Sequence, residues 1–152
     1  MSYTAAEGRA RILRDTAVAA NQIEISLGYL ADAYEQVDVG VAEKLEQQLF
    51  GPVQAAYARV ARTRTEFGER HGLAAEGLNA DQSPARPHGP HALIEGAVDA
   101  VEHADRVIGE LQDSLLPVEV GDAELRTGLS DARALLAPLP ARARELLRTL
   151  GR

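Results

Sequence analysis

The chain has no cysteine and no tryptophan, one methionine, two phenylalanines and four tyrosines. Without cysteine there is no disulfide, no thiolate metal site and no thiol nucleophile. Nowhere do about 18 apolar residues run together, so no segment is expected to span a membrane. Strand signals are missing too, since no period-two run of β-branched or aromatic residues occurs. Lysine is almost absent, Lys44 being the single one, and the formal net charge is −7. That charge opposes general affinity for nucleic acid or anionic lipid. The strings Gly-x-Gly-x-x-Gly, Gly-x-Ser-x-Gly and His-Glu-x-x-His and the Walker loop are all lacking. Residues 1–15 show neither the basic start nor the apolar run of a secretory leader, so a cytoplasmic location is expected.

What is present favours helix. Apolar residues make up 45% of the 152 positions, carried by Ala and Leu, both strong helix formers. A chain of this length buries about 68–70% of its unfolded surface as one domain. Residues 72–90 stand apart: Gly, Pro, Asn, Asp and Ser crowd there and no apolar period survives. On either side lies a long segment with steps of three and four between apolar positions, each interrupted once. The expected fold is all-α, a single helical domain over 1–152. It is an antiparallel up-down-up-down four-helix bundle with kinked second and fourth helices and a flexible linker at 72–90 between two hairpins.

The first helix is predicted from Ala5 to Gln36, with Thr4 as its cap and Glu7 completing a capping box. Its seam is Ile12, Thr16, Ala19, Ile23, Ser26, Leu30, Ala33 and Val37. The second is predicted from Val41 to His71 through Leu45, Leu49, Val53, Ala56, Val60, Thr63 and Phe67, with Pro52 as a kink rather than a stop. The third starts at Pro90, ends near Leu116 and follows Ile94, Ala97, Val101, Ala104, Ile108, Leu111 and Leu115. Asp122 caps the fourth, which follows Leu125, Leu129, Ala132, Leu136, Leu139, Ala143, Leu146 and Leu150 past Pro138 and Pro140.

Four constellations bear on chemistry. Glu95, Asp99, Glu102 and His103 would suit a carboxylate-bridged metal site, but the seam turns them outward. His88, His91 and Glu95 are a possible zinc set at the start of the third helix, opposed by their exposed, Pro-rich setting. Arg144, Arg148 and Arg152 recur every four residues as one basic stripe, and Arg59, Arg62 and Arg64 cluster on the second helix. No nucleophile has a partner by spacing. No catalytic residue, cofactor-binding residue or cofactor is therefore expected, and His88, His91 and Glu95 are the only metal candidates.

Two functions remain. The first is a non-enzymatic helical bundle acting through protein–protein interaction. Its partner is another protein or itself, a homodimer being preferred, with no membrane contact and nucleic acid disfavoured. Leu13, Leu27, Tyr34, Val98 and Val107, which flank the seams, offer an apolar strip for that contact. The alternative is a small-molecule- or metal-binding bundle with a pocket at the level of the helix kinks.

Overall fold

Thr4 sets the first helix going: its backbone is extended and its hydroxyl accepts from the Glu7 N–H at 3.1 Å, leaving α1 (Ala5–Tyr34) to run unbroken. A computed structural model describes residues 4–75 and 85–150. Among these every regular element is helical. Asp38 opens the next segment by accepting from the Val41 N–H at 2.9 Å. That segment joins α2 (Val39–Leu45), a π turn (Glu46–Phe50) and α3 (Gly51–Arg70) without a gap. It stops at Gly72, whose φ of +66° is the left-handed conformation that glycine adopts freely. There Leu73 N–H reaches Gly68 O at 2.8 Å and Gly72 N–H reaches Glu69 O at 3.3 Å, satisfying carbonyls that a helix end leaves open. Then come α4 (Pro90–Asp113), α5 (Leu116–Glu119), α6 (Ala123–Leu136) and α7 (Leu139–Leu150).

The predicted seams are the core. Every position from Ile12 to Ala33, from Leu45 to Phe67, from Ile94 to Leu111 and from Leu125 to Leu146 in those four series is buried. The polar members are satisfied: Thr16 donates back to Ile12 O at 2.7 Å, and Ser26 donates across to Ala97 O at 2.9 Å. Small residues let the helices close up. Tyr29 lies where a Cβ on Gly96 would come within 2.9 Å of its ring, and Thr63 occupies the space a Cβ on Gly128 would need.

Both proline sites leave the apolar phase intact, by different means. Pro52 has no N–H for Gln48 O, and the ladder widens by one residue so that Gly51 N–H bonds Glu46 O, the π pattern. The freed Gln48 carbonyl accepts instead from Arg142 Nη1 on α7, at 3.3 Å. In the last segment the helix is interrupted at Ala137–Pro138 and resumes at Leu139. Pro140 then falls in the first turn of α7, where no donor is missed.

The third helix ends earlier than expected, at Asp113 rather than near Leu116. Pro117 cannot donate to Asp113 O, so the helix cannot continue through it. The chain turns instead through Leu115 at φ 65°, and Leu115 is 57% exposed while Leu116 takes the buried place at 2%. Leu115 is therefore corrected from seam to surface. A left-handed leucine costs about 1–2 kcal/mol and glycine's extra chain entropy about 0.5–1. Leu115→Gly is expected to raise stability by about 0.5–1 kcal/mol in urea unfolding, and a loss of stability would contradict the strained turn.

Packing fixes the directions. α1 lies along α3 and α4, and α6 with α7 lies along α3 and α4. Gly8 at the start of α1 meets Leu116 beyond the end of α4, while Ser26 and Tyr29 near the end of α1 meet Ala97 and Gly96 at the start of α4. Arg64 donates to Leu13 O at 3.0 Å, whereas Phe50 and Glu46 sit with Ala31 and Tyr34. Arg59 pairs with Asp131 and Arg70 with Asp122. Each of these pairs is antiparallel, so the second and third segments point the same way. The up-down-up-down order is corrected to up-down-down-up. Short turns impose reversal, but residues 71–89 at up to about 3.3 Å each can climb the whole length of a helix. Of the linker expected to be flexible at 72–90, residues 76–84 lie outside the described residues. Beyond them, Arg86 is fastened to Asp32 at 2.6 Å and to Gly28 O at 3.2 Å.

Candidate functional site

The sequence-derived metal candidates do not converge. His91 Nδ1 meets Glu95 Oε1 at 3.1 Å, one turn apart, and both side chains are more than half exposed. His88 sits exposed in the bend before α4 and joins no such contact among the described residues. Among the described residues no group of three or more His, Asp or Glu side chains could hold a metal ion. Glu95, Asp99 and Glu102 are exposed and His103 is half-buried, as the seam required. Asp105 accepts from Arg133 Nε at 2.9 Å, a contact that ties α4 to α6. That bond raises the Arg133 pKa against the opposing effect of burial.

The basic residues divide into braces and free ends. Arg59 grips Asp131 at 2.9 Å, and Arg64 holds the Leu13 carbonyl. On the α7 stripe Arg144 is exposed, and Arg148 touches Glu145 at 3.0 Å with both side chains at least 70% exposed. Arg152 lies outside the described residues.

One buried carboxylate does more than the helix capping that its spacing predicts. Asp122, with 4% of its side chain exposed, accepts from Leu125 N–H at 2.9 Å, from Arg70 Nη2 at 2.7 Å and Arg70 Nε at 3.0 Å. His71 Nε2 lies 2.9 Å from Asp122 Oδ2, the oxygen that also accepts from Arg70 Nε, and the His71 ring rests on Phe67 with centroids 4.4 Å apart. Burial pushes the Asp122 carboxyl up, but the Leu125 N–H, His71 and Arg70 together outweigh it and hold the pKa below the usual aspartate value. The cluster clamps the end of α3 to the start of α6. Its parts are 51 and 52 residues apart, so only the topology could have revealed it.

The interior and the surface differ in open space. At the level of the two proline sites, Ser26, Leu30, Leu49, Val53, Ala97 and Leu139 leave a void of about 10 Å³, at most a single water's worth. Outside, Arg59, Arg62, Glu66, Glu124 and Thr127 line a groove of about 400 Å³. A second groove of about 250 Å³ lies between α1 and the π turn, lined by Ala31, Tyr34, Glu35, Glu46 and Phe50. Tyr34 is 44% exposed there. The other flanking residues proposed for a contact strip, Leu13, Leu27, Val98 and Val107, pack against the core. An aromatic residue off the seam, in a chain with so few, was the available signal for this groove. No protein-family model, curated protein or solved structure matches the chain.

Proposed function

We propose that the chain is a non-enzymatic, cytoplasmic four-helix bundle, kinked at Pro52 and at Pro138–Pro140, that acts by protein–protein contact through its outer faces. The observation that carries this reading is the filled layer at the proline sites. Where the alternative needs a ligand pocket, leucine, valine and alanine side chains meet across about 10 Å³ of void. The groove between α1 and the π turn, by contrast, sets Ala31, Tyr34 and Phe50 beside Glu35 and Glu46, the make-up of a contact that is apolar at its centre and polar at its edge. The polar clusters brace helices: Arg70 with Asp122, Arg133 with Asp105 and Arg59 with Asp131 each join two segments.

Thermal unfolding with added ligands tests this. A ligand at 100 times its Kd stabilises a folded protein by about 2.7 kcal/mol, which in a chain of this size raises Tm by several degrees. Zinc, manganese, iron(II) and small apolar compounds are expected to move Tm by less than about 1 °C. A saturable rise of several degrees with any one of them would favour the pocket reading instead.

A further inference from the structure

We infer that the groove between α1 and the π turn seats the basic α7 of a second copy of this chain. The inference rests on the reading that the protein works by protein contact, and it names the partner and the surface. The groove has an apolar floor, Ala31 and Phe50, and an exposed aromatic side chain, Tyr34. Its rim carries Glu35 and Glu46, both exposed and without an ion-pair partner among the described residues. At about 250 Å³ it falls below the usual range for small-molecule pockets, about 300–1,000 Å³, and is sized for side chains. Uncompensated carboxylates beside an aromatic ring select a cation carried on an apolar stem.

The chain itself carries the complement. On α7, Arg144 and Arg148 are exposed and Leu147 and Leu150 beside them are half-buried. Among the described residues Arg148 pairs with the exposed Glu145 alone, a contact that solvent leaves nearly without value and that a better acceptor can replace. Position also fits. α7 packs on the π turn and on α2, so donor stripe and acceptor groove lie at the same end of the molecule. A two-fold axis at that end makes the contact twice and closes the assembly as a dimer. Val39, 76% exposed at the start of α2, adds apolar surface beside it.

Charge exchange tests the pairing. One variant carries Glu35→Arg and Glu46→Arg, the other Arg144→Glu and Arg148→Glu. By sedimentation equilibrium the wild type should approach twice its 16.3 kDa mass with rising concentration. Each variant alone should associate at least ~10-fold more weakly, since like charges then face each other. An equimolar mixture should regain the dimer, because each groove then meets a stripe of opposite charge. Circular dichroism checks that each variant is folded. Should one fail, Glu35→Gln with Glu46→Gln and a salt titration of the wild type replace it, both expected to weaken the dimer. A wild type constant at 16.3 kDa overturns the inference, even if it binds a synthetic peptide of residues 139–150. So does a mixture that stays monomeric. A dimer indifferent to all four charges also overturns it while leaving the contact function standing, whereas a metal or small-molecule response in thermal unfolding strikes at that function itself.

Discussion

Asp122→Ala is expected to lower stability by about 3 kcal/mol. Losing a helix cap accounts for about 1 kcal/mol. Removing one partner of a buried charge pair typically costs about 3–5 kcal/mol. Here the figure is reduced to about 2, because the Arg70 side chain is 29% exposed and water can take over part of its solvation. For about 150 residues that corresponds to a fall in Tm of roughly 6–12 °C. Asp122→Asn keeps an acceptor for Leu125 N–H and should lose less, about 1–2 kcal/mol.

The same residue sets a pH dependence. Its native pKa is depressed, so on acidification the unfolded chain takes the proton first. The stabilisation is complete above the unfolded aspartate value of about 3.9 and is lost as pH falls through the native value. Asp122→Asn should flatten that part of the acid unfolding curve. An Asp122→Ala protein as stable as the wild type, with the same acid limb, would show that the cluster is ornamental.

Gly128→Ala is expected to destabilise by about 1–3 kcal/mol even though alanine is the better helix former by about 1 kcal/mol. The added methyl would collide with Thr63 Oγ1 and Cγ2, and even Thr63 Cβ would lie at 2.9 Å. Thr63 is 3% exposed and Gly128 is buried, so neither helix can yield without opening the α3–α6 contact. Thr63→Ala removes the two nearest atoms, Oγ1 and Cγ2, and leaves Cβ at 2.9 Å. In the double variant the alanine at 128 should therefore cost less than it does alone, giving a coupling of about 0.5–2 kcal/mol between the sites. Additive losses in chemical denaturation would mean that the helices are not in close contact there.

The core was legible because spacing alone assigns a helix face, and the four seams are buried as read except at their last members, Val37, Leu115 and Leu150. Helix starts were legible where a side chain was read as the cap, at Thr4 and Asp122, whereas Asp38 starts its helix at Val39, two residues before the predicted Val41. Direction was not. Nothing in residues 71–89 says to which end they deliver α4, and the length permits both. Leu115 misled because its spacing continues the seam one turn past the point where Pro117 stops the helix. The surface groove was half legible: Tyr34 drew notice, but Glu46 and Phe50 reach it only through the π turn that Pro52 provokes. The Asp122 cluster needed the antiparallel pairing of α3 with α6 before Arg70 and His71 had anything to face.

The decisive measurement is native mass spectrometry of the protein purified without added metal or ligand. A closed core and a binding surface require the bare 16.3 kDa chain and its dimer, with no additional mass retained on either. A stoichiometric metal ion, or a small molecule that leaves only when the chain unfolds, would contradict that and place the protein's function in its interior.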